Sequence, residues 1–245
     1  QRFTTPWLGL SHRWTDATLV YASWGQGVET EVAPNRDRYT NAGQALPALK
    51  TRQIEIGLKH SEPGLDWSLT GFRVERPLAL DVGPCDAAAS CTRQIDGKAR
   101  HQGLEAALGL HTGRWRVDGS ALWLDAERSG ASDATANGLR PTNVPDHALK
   151  ARISHDLAAL PQWQLQAAVT HEGARAVLPD NRIEAPAWTR LDIGARWSGR
   201  AGVGRVPVHG PGLRYRAVPA WGAVSGAGHG LPPLCLRRGL RARRG

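Results

Sequence analysis

The chain has no methionine, only two phenylalanines, three tyrosines and three cysteines, and no long run of apolar residues. Each shortage excludes something. Without an apolar stretch of about 20 residues there is no transmembrane helix, and without heptad or 3.6-residue periodicity there is no helical bundle. The cysteines form no C-x-x-C pair, and no histidine lies near Cys85 or Cys91 in sequence to complete a zinc site. No P-loop and no Ser/His/Asp arrangement stands out, so no catalytic residue, metal ligand or cofactor is expected, and the chain does not read as an enzyme. The chain begins at Gln1 with neither methionine nor signal peptide, so it is expected to start inside a longer protein.

Acidic residues are missing from one region only. All 22 lie within residues 1–198, where 22 of the 31 Lys and Arg also lie, so that segment is neutral. The formal charge of +9 comes entirely from the nine arginines of residues 199–245. That segment also lacks Lys, Asn, Gln, Thr, Ile and Phe. A basic arm for nucleic acid or anionic lipid would carry such charge, but would be expected to mix Lys with Arg and to include polar spacers. The switch to residues with GC-rich codons reads as translation in a shifted frame, with disorder as the alternative. Nucleic acid is not an expected partner.

What the chain does have is a rhythm of connections. Short links at Thr15–Asp16, Ser61–Gly64, His111–Arg114 and Ala158–Gln162 alternate with long ones at Gly25–Lys50, Leu80–Ala99, Arg128–Pro145 and Pro179–Ala187. Short turns at one end of every strand and long loops at the other are the pattern of an outer-membrane β-barrel, periplasmic side against external side. Nine strands are predicted, near 7–14, 18–24, 51–60, 65–75, 100–110, 115–125, 147–156, 163–173 and 188–197. Several alternate strictly: Trp163, Leu165, Ala167 and Val169 oppose Gln164, Gln166, Ala168 and Thr170. Period-2 alternation over about ten residues lets a tilted strand cross hydrocarbon with one face to lipid and one to the lumen. The fourth strand loses phase between Leu69 and Phe72, which predicts a bulge or a misplaced boundary. Trp7, Trp14, Trp24, Trp67, Trp115, Trp163, Trp188 and Trp197 fall near strand ends, as interfacial aromatic girdles require.

Five ordered blocks carry a family resemblance. They are Thr18–Asn35 (TLVYASWGQGVETEVAPN), Asn41–His60 (NAGQALPALKTRQIEIGLKH), Arg100–Leu110 (RHQGLEAALGL), Asn143–Asp156 (NVPDHALKARISHD) and Trp188–Trp197 (WTRLDIGARW). Within the second, Pro47, Leu49, Lys50, Thr51, Gln53, Glu55, Gly57 and Lys59 match the block that follows a long external loop in TonB-dependent siderophore receptors. Residues 1–198 resemble the C-terminal part of that family's barrel. The resemblance implies an all-β fold in the bacterial outer membrane. It also implies a ferric siderophore as ligand, outer-membrane lipid as surroundings, and the TonB energy-transducing complex as a partner reached through an N-terminal plug. The plug, the TonB box and the closing strands are expected to be absent from this sequence, so the fragment alone is not expected to transport.

Site candidates follow from the same reading. Arg36, Asp37, Arg38 and Tyr39, in the first long loop, are the expected contacts for an anionic ferric chelate, which favours guanidinium and aromatic groups. Cys85 and Cys91, six apart in an external loop, fit a local disulfide. Cys235 is left over. Glu55, Lys59, Glu105, Arg190, Asp192 and Arg196 are expected in an internal polar lattice, and His12, His155 and His171 on strands at the lumen or the membrane interface. Competing readings are a haem or cobalamin receptor, a passive porin, and a soluble β-sandwich with a nucleic-acid-binding tail.

The shifted-frame reading makes a direct prediction. Translating the DNA downstream of codon 198 in the other two frames should recover a strand reading N-L-x-D-x-x-Y and a terminal aromatic residue. If neither frame holds them, residues 199–245 are a genuine basic arm.

Overall fold

A computed structural model describes residues 3–200, together with the backbone of 205–209 and 213–217. Period-2 side-chain alternation becomes one continuous antiparallel ladder. Its strands are β1 Trp7–Arg13, β2 Thr18–Glu29, β3 Leu49–Glu62, β4 Leu65–Val82, β5 Thr92–Thr112, β6 Trp115–Ser129, β7 His147–Asp156 and β8 Trp163–Glu172. The two-residue strands β9 Arg175–Ala176 and β10 Glu184–Ala185 pair in a separate hairpin, and β11 Trp188–Arg200 rejoins the main sheet beside β8. On the free side of β11 lie β12 Arg205–His209 and β13 Leu213–Ala217, paired with its two halves in turn. Cys235 and Arg237–Arg244 lie outside the described residues.

All nine expected strands are present, but five run further toward the long loops than alternation predicts. The connection expected over Leu80–Ala99 shrinks to Gly83–Cys91, because β4 continues to Val82 and β5 begins at Thr92. The predicted irregularity at Leu69–Phe72 is absent: β3 and β4 pair without interruption from Arg52↔Glu75 to Glu62↔Leu65. What changes there is the side-chain pattern, with Arg73 and Glu75 taking the outward face above Gly71. The real irregularity lies higher, where Asp96 and Gly97 together oppose Leu78. Gly97 has φ +74°, a bulge conformation that glycine tolerates. The bulge leaves Asp96 free to accept from the Ser132 amide at 2.8 Å and its hydroxyl at 2.6 Å.

Register sorts the side chains onto two faces, because directly paired residues share a side. Leu10, Ala22, Ile56, Gly71, Leu104, Trp123 and His147 run across one face, and Val117, Ile153, Ala167 and Ile193 run across it nearer the short turns. The opposite face carries Tyr21, Gly57, Thr70, Glu105, Lys150 and Arg190. Nothing covers the apolar face among the described residues: Leu8, Leu10 and Ile56 are 69%, 75% and 63% exposed. A two-layer soluble domain buries such a face against a second layer. The buried residues instead gather at the long-loop end, among them Ala33, Tyr39, Leu46, Leu49, Ala79 and Cys91.

Tryptophan divides between the faces. Trp67, Trp115, Trp163 and Trp197 form an outward row beside the short turns, with His60 stacked on Trp67 at 5.4 Å and His155 against Trp115 at 4.1 Å. Trp24 and Trp123 mark the upper edge of the apolar band. Trp7 and Trp188 depart from the expected girdle. Register turns both inward, where Trp7 lies over Gly9 and Gly25 and Trp188 Nε1 donates to Glu172 Oε2 at 3.2 Å.

The face assignment predicts an asymmetry between neighbours. Ala167 pairs with Ile153 and Ile193 on the apolar face, and Gln166 with Ser154 and Gly194 on the polar one. In a full-length receptor carrying this segment, Ala167→Arg should cost about 2–4 kcal/mol of stability, whereas Gln166→Arg should cost little. Urea unfolding in lipid vesicles measures both. Equal costs, or a monomer that stays folded without detergent, would contradict a lipid-facing band.

Candidate functional site

The long connections are organised by polar side chains at the top of the sheet. Arg93, near the start of β5, lies between two carboxylates, donating to Glu31 Oε1 at 2.5 Å and Asp81 Oδ1 at 3.1 Å. Asn41 holds the Arg93 main chain from both sides, its Nδ2 donating to the carbonyl at 2.7 Å and its Oδ1 accepting from the amide at 3.1 Å. Tyr39 is 5% exposed and its hydroxyl donates to Asp81 Oδ2 at 2.8 Å. Three main-chain bonds add to this. Amides of Ala89 and Cys91 donate to the carbonyls of Asp37 and Arg38 at 2.8 and 3.0 Å, and that of Thr40 donates to Cys91 at 2.8 Å. The sulfurs of Cys85 and Cys91 are bonded, with Cα atoms 4.8 Å apart. The connections 30–48 and 83–91 thus make one hydrogen-bonded unit.

Residues 130–146 and 173–187 make a second unit. Asn181 Oδ1 accepts from the Arg140 amide at 2.8 Å, and its Nδ2 donates to the Arg140 carbonyl at 3.0 Å. The Arg140 guanidinium also pairs with Glu184, and that of the buried Arg128 donates to the Pro179 carbonyl. A short 3₁₀ turn at Ala134–Ala136 is capped by Asp133, whose carboxyl is held below the usual carboxylate range by bonds from the Thr135 hydroxyl and amide.

Below the loops, the polar face is a lattice. Lys59 lies 4.9 Å over the Tyr21 ring, Tyr21 shares a 2.9 Å bond with Thr70, and Arg190 donates to Asp192 at 2.9 Å. Between β1 and β4 this face holds a groove of about 650 Å³ lined by Trp7, Tyr21, Gln53, Glu55 and Lys59. Register puts Glu55, Lys59, Glu105, Arg190, Asp192 and Arg196 all on this side. His12, His155 and His171 take the other side, toward lipid.

An open antiparallel sheet with an apolar outer band, a polar inner face and docked loops at one end is a segment of an outer-membrane β-barrel. The model of the family described as TonB dependent receptor-like, beta-barrel, matches residues 1–206, and the chain belongs to that family. Its members are transport receptors of the outer membrane. Among curated relatives, the ferrichrome receptor FcuA of Yersinia enterocolitica is 26% identical over 218 residues, 87% of this chain and 27% of the relative. The vitamin B12 transporter BtuB of Photobacterium profundum is 26% identical over 78% of this chain and 30% of its own length. Among solved structures, the ferric preacinetobactin receptor BauA of Acinetobacter baumannii superposes with a TM-score of 0.65 at 26% identity, over 80% of this chain and 30% of that one. The chain therefore spans under a third of the length of these relatives.

Of the residues singled out in the first long loop, Arg36 and Asp37 are exposed and Arg38 is half-buried, its guanidinium 5.2 Å from the Tyr39 ring centre. Tyr39 is turned into the protein rather than toward a ligand. Sequence reasoning missed Glu31, Asp81, Arg93 and Asn181, because each acts on a partner more than ten residues away and none stands in a local motif.

The Tyr39 pin is testable. Tyr39→Phe should cost about 1.5 kcal/mol of local stability, the low end for a hydrogen bond to a charged group. Amide exchange of residues 36–41 should rise while that of β3 stays unchanged. Unchanged protection of 36–41 would mean that the main-chain bonds suffice.

Proposed function

We propose that this segment is the part of a ferric-siderophore receptor barrel that presents Arg36, Asp37 and Arg38 to the extracellular ligand. The observation that carries this is the docking of residues 30–48 on the Cys85–Cys91 loop, which commits Tyr39 inward and leaves Arg36 and Asp37 at the surface. A ferric chelate with net negative charge meets guanidinium groups carried on a main chain that is already fixed, so the loop backbone need not be ordered on binding. Similarity to a ferrichrome receptor over 87% of the chain, against 78% for the vitamin B12 transporter at the same identity, and to the ferric preacinetobactin receptor supports this cargo over cobalamin. In the whole receptor, energy for uptake comes from the TonB complex acting on a plug seated against the polar inner face. The segment from Gly199 onward is read as out-of-frame sequence, with the family match running a few residues into it, to residue 206.

In a full-length receptor carrying this segment, Arg36→Glu and Arg38→Glu should each weaken ferric-siderophore binding about tenfold, while Arg182→Glu on the other loop unit should not. Equilibrium binding on intact cells measures this, and no loss in either variant would sink the assignment. Orientation has its own check. Cysteines at Asn35 or Ala88 should react with an impermeant maleimide on intact cells, and one at Pro63 should stay silent. Pro63 is preferable to its neighbour Gly64, whose φ of +87° and 2.7 Å approach to the His111 carbonyl leave no room for a side chain.

A further inference from the structure

At the upper edge of the lipid-facing band, four polar side chains from three strands and the residue preceding β7 form a chain. Asp146 Oδ1 lies 2.8 Å from His147 Nδ1, His147 Nε2 lies 3.1 Å from His171 Nε2, and His171 Nδ1 lies 2.8 Å from Thr189 Oγ1. The imidazoles are 5.2 Å apart between centres and nearly parallel. An ionised carboxylate only accepts, so Asp146 fixes the proton of His147 on Nδ1 and leaves its Nε2 as a lone pair aimed at His171. Arg140 Nη1, 4.0 Å from the other Asp146 oxygen, helps to hold that carboxylate. Thr189 is different, since its hydroxyl can donate to His171 Nδ1 or turn and accept from it. His171 therefore has two neutral arrangements. In one its Nε2–H donates to His147. In the other its proton moves to Nδ1 and two bare lone pairs face each other.

We propose that this second arrangement binds a divalent transition-metal ion between His147 and His171. A metal roughly 2.0–2.1 Å from each nitrogen spans their 3.1 Å separation off the line that joins them, at an N–metal–N angle of about 100°, so both imidazoles turn from facing each other toward the ion. Both ligands already have the outer partner that imidazole ligands require, a carboxylate for one and a hydroxyl for the other. Imidazole pairs select zinc, copper or nickel over calcium or magnesium. A depression of about 570 Å³, lined by Leu104, Trp123, Asp125, Asp146 and His147, borders the His147 side of the pair. Asp146 and Asp125 there offset the ion's charge. No net proton is gained or lost on binding, because His171 shifts its proton from Nε2 to Nδ1.

The test is a Cu²⁺ titration of the full 245-residue chain in detergent micelles, followed by electron paramagnetic resonance, with β content checked by circular dichroism in each variant. One site with two-nitrogen hyperfine structure is expected. His147→Asn and His171→Asn should each remove one nitrogen and weaken binding at least about tenfold, and His155→Asn should change neither. Thr189→Val keeps both ligands and should weaken binding several-fold with the two-nitrogen pattern intact. A wild-type spectrum unchanged by His171→Asn in a folded chain, or a wild-type affinity equal to that of the chain carrying both His147→Asn and His171→Asn, overturns the site.

Discussion

The constraint behind the whole structure is that no backbone N–H or C=O can be left unpaired in hydrocarbon, where each costs several kcal/mol. An unbroken ladder from β1 to β8 and on to β11 meets that demand without a second layer. The alternation of side chains is a consequence: once each strand is paired on both edges, its residues have only two directions to point. Because lipid satisfies one direction and a polar interior the other, the segment has no apolar core in the membrane region. The free edges of β1 and of β11's partners are where this solution needs the rest of a barrel.

Where the strands leave lipid, the chemistry of the outward face changes within one residue pair. Below, Gly71 pairs with Leu104 and Leu104 with Trp123; above, Arg73 pairs with Gln102 and Gln102 with Asp125. Gln102 donates to Asp125 at 3.0 Å, Arg100 to Glu127 at 2.7 Å and Lys98 to Glu75 at 3.4 Å. Such exposed pairs are each worth little. Their role is to let the sheet continue upward into water, since alternating opposite charges on neighbouring strands do not repel. Among the described residues the buried apolar side chains all lie in this projecting part, Ala33, Tyr39, Ala79, Cys91 and Ala126 among them, whereas polar Ser154 is buried on the inner face nearer the short turns.

The contrast between these zones explains what the sequence made legible. In the membrane zone, lipid enforces Leu165-Gln166-Ala167-type alternation, and nine strands could be placed from it. In the projecting zone no solvent contrast exists, so residues such as Arg93, Gln94 and Ile95 carry no period and resemble loop in sequence. Phase at Leu69–Phe72 misled for the same reason: Arg73 turns outward because that face has left hydrocarbon, not because the ladder slips. Trp7 and Trp188 show a second limit, since a position near a strand end does not fix the face and one residue reverses it. The site was least legible. Tyr39 to Asp81 and His147 to His171 are contacts 42 and 24 residues apart, and only the register of the intervening strands brings them together.

The two ways of holding the external loops differ in what they accomplish. In the chain-entropy account, closing the short Cys85–Cys91 loop contributes about 2.4 kcal/mol, because only a small loop is constrained. That bond shapes residues 85–91 but does not reach the first loop. Attachment of residues 30–48 comes from three main-chain hydrogen bonds to the second loop, from two bonds of Asn41 to the main chain of Arg93 in β5, and from Tyr39 on Asp81. Arg93 then ties the same Asp81 to Glu31. Cys91 belongs to both systems, since its amide and carbonyl bond Arg38 and Thr40 while its sulfur bonds Cys85. The disulfide thus acts indirectly. By fixing the main chain at Cys91 it presents an ordered edge on which residues 38–40 can dock. The orientation of Arg36 and Asp37 at the surface depends on that edge more than on any contact the two residues make themselves.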